Sequence, residues 1–299
     1  MQPERNMLFV PANNWRMITK AAAAPTDSVC IDLEDAVAVA EKPAARANVI
    51  RAFRELDFGS RLRMFRINGL DTPFAYRDLI EVVEAAGDKI DLIMVPKAGS
   101  AADVQFVDRL LTQIEQSCDR VRPIGLEVQI ETARGFLFCR EIAAASSRLE
   151  ALVFGVGDYS ASMQMPSSGI GDFDQHDALY PGHRWHAVMH TVVAAARAHG
   201  LRAIDGPYAS FNDPVGFEKS CRIALALGFD GKQCIHPSQL QAAHSIFSPS
   251  PEAIAQAESL LAAYAEAASA GRGAVTHDGK MIDAANLRMA RALIARKTS

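Results

Sequence analysis

The sequence predicts a (β/α)8 TIM barrel with a C-terminal helical extension. Three observations carry that expectation. Eight short apolar runs alternate with longer stretches of helical periodicity. Each strand–helix unit takes about 25–35 residues, which suits a barrel near 250 residues. Several of the runs are continuously apolar, as expected of parallel strands covered on both faces. An open doubly wound sheet is the alternative, but no G-x-G-x-x-G follows the first run.

The elements follow in order. Met7–Val10 reads as the first strand and Asn14–Ala24 as its helix. Val29–Asp32 and Lys42–Leu56 form the second pair, and Leu62–Ile67 and Pro73–Ala86 the third. Pro73 sits where a first helical turn tolerates proline. Leu92–Val95 precedes Ala102–Ser117, in which Val104, Val107, Leu110, Leu111 and Ile114 keep helical spacing. Ile124–Ile130 leads to a helix over Thr132–Ala145. Ala151–Gly155 is followed by a long segment without helical period, Tyr159–Pro181, and then by a helix over His183–His199. A barrel loop of that length is more often functional than idle. Arg202–Asp205 with Pro214–Leu227 and Lys232–Ile235 complete the eight. Gly200 and Gly228 fall where helices stop. Residues 1–250 are thus expected to form the barrel domain. Residues 251–299, opening with the Ala-rich helix Pro251–Ala270, form an extension able to pack over a barrel mouth.

Composition excludes several classes of function. Of 299 residues, 49% are hydrophobic and 22% charged, which is the profile of a globular chain. The net charge of −4, without a basic stripe, argues against nucleic acid as a partner. No apolar run is long enough to span a membrane. MQPERNMLFVPANN mixes acids and bases and does not read as a secretory signal. The five cysteines (Cys30, Cys118, Cys139, Cys221 and Cys234) are odd in number and lack C-x-x-C spacing. They read as small core residues of a cytoplasmic protein rather than as a disulfide framework or zinc cluster.

In such barrels the chemistry lies at the C-terminal strand ends. Here those ends carry Asp32-Leu33-Glu34-Asp35, Arg66-Ile67-Asn68, Pro96-Lys97, Glu131-Thr132, Gly155-Val156-Gly157-Asp158 and His236-Pro237. No nucleophile elbow or reactive-cysteine signature is among them. Glu131 and Asp158 come from adjacent strands. Two carboxylates plus waters suit magnesium, a hard cation that prefers oxygen ligands. Arg66 suits a substrate carboxylate, which a guanidinium clamps bidentately. Each residue also has a plainer reading. Asp32 and Asp158 serve as well as helix caps, Lys97 as the partner of a nearby acid, and His236-Pro237 as a turn. His183, His186 and His190 share a helix face, which reads as solvated or hydrogen-bonded in preference to a zinc site.

The strings LFVP (8–11), DLEDAV (32–37), FRIN (65–68), VPK (95–97), IET-x-x-G (130–135) and G-x-x-D (155–158) resemble the CitE-like branch of the HpcH/HpaI aldolase family. PGHRWH (181–186), IDGPY (204–208), GFDGKQCIHPSQ (228–239) and GKMID (279–283) resemble its malyl-CoA, β-methylmalyl-CoA and citramalyl-CoA lyases. The resemblance covers nearly the whole chain and implies the same barrel and extension. It implies reversible cleavage of a 3-hydroxyacyl-CoA to acetyl- or propionyl-CoA and an oxo-acid, glyoxylate or pyruvate. Coenzyme A is then part of the substrate.

By the resemblance, Glu131 and Asp158 bind magnesium, with manganese as the alternative. Arg66 contacts the oxo-acid carboxylate and the developing enolate, and Glu34 and Asp35 sit beside the metal. Phe9, Val10 and Lys20 fall at positions used for coenzyme A, and Gly157, Ile235 and His236 line the substrate site. Asp283 matches an acid that acts as proton donor in the site of a neighbouring subunit. That implies a homo-oligomer, a trimer or a hexamer. Two positions depart from the pattern. Relatives read FVPGSR where this chain reads FVPANN, which puts Asn14 in place of a phosphate-binding arginine and leaves Arg16 as the substitute. Gln129 is polar where relatives are often apolar. A citrate-lyase-type subunit, a malyl-CoA thioesterase and a non-catalytic CoA-binding protein remain alternatives. GKMID favours a free-standing lyase over the first, and the intact acid–Arg–acid set argues against the last.

Overall fold

Eight parallel strands close into a barrel in chain order. They are β1 (Asn6–Pro11), β2 (Ser28–Asp32), β3 (Leu62–Arg66), β4 (Leu92–Val95), β5 (Gly125–Ile130), β6 (Leu149–Phe154), β7 (Arg202–Asp205) and β8 (Gly231–Cys234). β1 pairs with β2 on one side and β8 on the other, so no edge is left. Closure rules out the open-sheet alternative. The computed structural model describes residues 2–120, 122–166, 169–179, 184–269, 275–277 and 280–296. They divide into two compact units, Glu4–His244 and Met1–Pro3 with Ser245–Ser299.

Helices follow the strands of the first unit: α1 (Trp15–Ala22), α2 (Lys42–Glu55), α3 (Ala75–Ala86), α4 (Ala101–Ser117), α5 (Ala133–Leu137), α6 (Cys139–Ala143), α7 (Val156–Ser162), α8 (His186–Ala198) and α9 (Pro214–Leu227). Their ends obey local chemistry. Asn14, Thr132 and Asp213 cap α1, α5 and α9 through side-chain oxygens that accept from backbone N–H groups. Gly228 closes α9 at φ 102°, a conformation open to glycine.

Three elements differ from expectation. Pro73 precedes α3 instead of opening it, since Phe74 is the N-cap. The helix expected over Thr132–Ala145 is two helices that meet at Phe138, where the backbone leaves helical geometry (φ −103°, ψ 18°). A side chain on Gly135 would collide with the Ala98 carbonyl oxygen, so α5 is pinned against the segment after β4. Apolar spacing does not register that constraint. The segment expected to be loop from Tyr159 onward begins with the end of α7. Seven residues are too few to show a period, and α7 is held by burial of Tyr159 against the Phe154 and Phe136 rings, 5.6 and 5.9 Å away. His183 lies outside the described residues.

The barrel interior is layered. Its middle is apolar, built from Met7, Cys30, Met64, Met94, Val153 and Ile204. Successive strand residues alternate sides, so residues two apart share the interior. Four cysteines are buried, Cys118 is exposed, and all five are free. In the second unit, α11 (Pro251–Ser269), the hairpin β9 (Val275–His277) and β10 (Lys280–Ile282), and α12 (Ala284–Ala295) follow in order. The helix α10 (Leu240–Phe247) spans the division between the units.

Toward the N-terminal strand ends the interior holds Arg202 among three acids. Its Nη2 lies 2.8 Å from Glu127 and 3.4 Å from both Glu4 and Glu150. Burial, with the facing Glu4 carboxyl, pushes the Glu127 pKa well above the ordinary 4.5. The stability contributed by this protonated carboxyl is complete below 4.5 and is lost as pH rises through the folded-state value. A glutamine accepts from Arg202 and donates to Glu4 without titrating. Glu127→Gln should therefore melt above the parent at pH 8, with a margin that shrinks toward pH 5. Scanning calorimetry across that range checks this.

Candidate active site

The parity that places Met64 inside the barrel places Arg66 there, and Cys30 brings Asp32 with it. The register then pairs Asp32 directly with Arg66 across β2 and β3. Arg66 Nε and Nη2 each donate to one Asp32 oxygen at 2.7 Å, a bidentate clamp. Its Nη1 donates to Gln129 Oε1 at 3.1 Å and lies 3.0 Å from Glu34 Oε2. Its guanidinium lies 5.4 Å from the Phe9 ring centre. Burial opposes the Arg66 charge, but Asp32 and Glu34 outweigh it and hold the group firmly ionised. Burial also opposes the Asp32 charge, and there Arg66 wins and lowers the pKa.

Beside this clamp stands a second group of acids. Glu131 follows β5 and is buried. Its Oε1 accepts from the Lys97 backbone N–H at 2.8 Å. A side chain on Gly155 would collide with the Glu131 carboxylate, so glycine at the end of β6 is what admits Glu131 to the mouth. Burial, with Glu34 and Asp158 as like-charged neighbours, pushes the Glu131 carboxyl up to about 8. Lys97 has φ 51°, a left-handed backbone that is uncommon for a residue with a side chain. This turn aims its N–H at Glu131 while its Nζ lies 2.8 Å from Glu34, 2.9 Å from Asp35 and 3.8 Å from Asp158. Burial opposes the ammonium, but Glu34 and Asp35 raise its pKa further.

These groups border a cavity of about 500 Å³, whose walls include Phe9, Val10, Asp35, Arg66, Glu131, Gly157, Asp158 and Ile235. Eight of the sequence-selected residues thus gather at one mouth, with Glu34 pairing both Arg66 and Lys97 behind the wall. Four others lie elsewhere. Arg16 and Lys20 are exposed on α1 and do not border the cavity. His236 is exposed, stacks on Phe211 at 4.9 Å and caps the short turn after β8. Asp283 belongs to the second unit, where its side chain accepts from Ala285 and Asn286 and caps α12. Asn14, at the variant coenzyme A position, is the cap of α1.

Two side chains hold more of the site than the sequence reading assigned them: Asp32, read as a helix cap, and Gln129, noted as a departure from the pattern; Lys97 is, as read, the partner of nearby acids. Asp32 and Gln129 hold Arg66, and Lys97 ties three acids together. The readable signal was parity, since Asp32, Arg66 and Gln129 each stand two residues from an interior position. Glu131 and Asp158 fit a divalent cation. Both offer hard oxygen donors at a cavity wall, where five acids (Asp32, Glu34, Asp35, Glu131 and Asp158) outnumber the nearby cations Arg66, Lys97 and Lys42, the last donating to the Leu33 and Glu34 carbonyls. The protonation favoured at Glu131 by burial is the burden a bound cation would relieve.

The sequence profile of the family described as HpcH/HpaI aldolase/citrate lyase matches residues 5–237. An L-malyl-CoA/beta-methylmalyl-CoA lyase of Cereibacter sphaeroides is 42% identical, covering 98% of this chain and 94% of that protein. A (3S)-malyl-CoA thioesterase of the same species is 36% identical, with coverage of 98% and 94%. Among solved structures, the CitE protein of Mycobacterium tuberculosis in complex with magnesium, acetoacetate and coenzyme A superposes with TM-score 0.77 at 33% identity, over 99% of this chain and 98% of that one. The likeness read from the motifs is borne out.

Removing Asp32 leaves Arg66 buried without its bidentate clamp, held by Gln129 and Glu34 alone. Asp32→Ala should cost about 3 kcal/mol in urea unfolding. The double variant Asp32→Leu, Arg66→Met should lose less, because neither member of the bidentate pair is left buried without the other.

Proposed function

The chain belongs to the HpcH/HpaI aldolase/citrate lyase family, and from that membership we propose a substrate and a division of labour for its site. It is a carbon–carbon lyase. The proposed substrate is a 3-hydroxyacyl-CoA of the malyl-CoA type, split reversibly into acetyl- or propionyl-CoA and glyoxylate or pyruvate. The observation that carries this reading is the fixed, fully charged Arg66 at the same cavity as the Glu131–Asp158 pair.

Cleavage breaks the bond between the hydroxyl-bearing carbon and the carbon next to the thioester. The hydroxyl loses its proton to water in the cavity and becomes a carbonyl, and the electron pair of the broken bond passes into a thioester enolate. Glu131 and Asp158 would hold magnesium, or manganese, which supplies Lewis acidity and a template for the oxo-acid oxygens. Arg66 binds the oxo-acid carboxylate and stabilises negative charge that grows as the bond breaks. Its clamp spares it reorganisation at that moment. Glu34 and Asp35, tied to Lys97, keep the carboxylate side of the mouth in place. Phe9 and Val10 bound the acyl-CoA, and Gly157 and Ile235 line the substrate site beside it. Arg16, Lys20 and His236 are proposed to meet the rest of the coenzyme outside the cavity. Asp283 gives a proton to the enolate carbon, and in condensation takes one from the methyl group. We assign the extension 251–299 as the lid that brings Asp283 to a neighbouring subunit of a homotrimer or hexamer. The proposed setting is the cytoplasm; among the described residues no helix is long and apolar enough to cross a membrane.

The deciding experiment offers acetyl-CoA or propionyl-CoA with glyoxylate, and acetyl-CoA with pyruvate, in the presence of magnesium. A hydroxyacyl-CoA identified by mass supports the reading. Free coenzyme A released from malyl-CoA, without condensation, would mark a thioesterase. Glu131→Gln and Asp158→Asn should each lose magnesium binding in calorimetry together with turnover.

Asp283→Asn should bind magnesium as the parent does and lose about 10²–10⁴-fold in turnover, the usual worth of positioned proton transfer. Full activity in that variant would remove Asp283 from the mechanism.

A further inference from the structure

One apolar wall of the cavity comes from outside the strands and their first turns. Ile170 lies between α7 and α8, is 48% exposed and borders the cavity. It stands against Gly157, the residue before Asp158. A side-chain carbon built on Gly157 would come 3.1 Å from Ile170 Cγ2 and 3.4 Å from Cγ1. Ile170 therefore fills the space beside Asp158 that the glycine leaves open.

The backbone holds Ile170 there. Ala209 N–H donates to the Ile170 carbonyl at 2.9 Å. Asp172 accepts from the backbone N–H and the hydroxyl of Ser210, each at 3.0 Å. Between them Gly171 has φ +74°, and a side chain there would collide with the Pro207 carbonyl oxygen. Ile170 is thus anchored at its own carbonyl and again two residues on, through a glycine-only turn, to the segment after β7.

We propose that Ile170 determines which oxo-acid the site accepts. Its branched side chain leaves room for the hydrogen of glyoxylate and crowds the methyl of pyruvate. The inference rests on the lyase reading above, in which the oxo-acid lies against the cation held by Glu131 and Asp158. Phe9, Val10 and Met17, the apolar wall from β1 and α1, are left to bound the acyl-CoA.

The test compares the parent with Ile170→Val, Ile170→Ala and Gly157→Ala. For each, kcat/KM is measured for condensation of acetyl-CoA with glyoxylate and with pyruvate, and of propionyl-CoA with glyoxylate. The parent should prefer glyoxylate. Ile170→Ala should raise the pyruvate-to-glyoxylate ratio about tenfold or more, the usual discrimination for one carbon in an apolar pocket. Ile170→Val should fall between, and Gly157→Ala should lower the ratio. Because Ile170 is half exposed, melting temperatures should stay near the parent's, and the valine variant reports even if the alanine one is unstable. An unchanged ratio in folded, active variants overturns the proposal. So does a change confined to propionyl-CoA against acetyl-CoA. Absence of condensation with every pair in the parent overturns the lyase reading, and this inference with it.

Discussion

A buried guanidinium is costly unless carboxylates surround it, and the mouth of this barrel is arranged around that requirement. Arg66 reaches the interior because strand alternation turns it inward two residues after Met64. Asp32 meets it because β2 and β3 pair in the register that sets them side by side. Once that clamp exists, Glu34 and Gln129 have a donor to satisfy, and the charge is held at one place. A fixed charge of this kind acts on a developing anion without first having to move.

The acid excess around the clamp has a second consequence. Glu131 and Glu34 crowd one another where water is scarce, with the partly exposed Asp158 beside them, and the burden falls on Glu131, whose carboxyl is pushed up to about 8. Arg66 offsets part of it through its charge, and Lys97 through an N–H aimed by a left-handed turn. Backbone strain at that lysine and the glycine demanded at position 155 are both costs located at the site. Such departures from local preference tend to gather where function needs them. The opposite end of the barrel interior shows the same physics. There one arginine serves three acids, and burial with the facing Glu4 raises the pKa of Glu127.

Much of this was legible before folding was considered. The eight strands fall where the apolar runs are, and Leu92–Val95, Arg202–Asp205 and Pro214–Leu227 have the bounds read from sequence. The strand ends supplied Arg66, Glu131, Asp158, Glu34 and Asp35 as a set, because a closed parallel barrel gathers those ends at one mouth. Where reading fell short, the missing information was a contact between distant residues. The break at Phe138 goes with Gly135 against Ala98, and α7 depends on Tyr159 between two rings. Neither leaves a trace in local periodicity.

The sequence by itself determined the barrel, the inward face of each strand and the chemical kinds gathered at the mouth. Period and residue type are local properties and survive in one dimension. Only the tertiary structure decided which acid holds the arginine, which lysine ties the others and which loop residue stands beside Asp158. Those choices depend on strand register and on distances between residues up to 63 positions apart, such as Arg66 and Gln129. Such proximities come into being only when the chain closes.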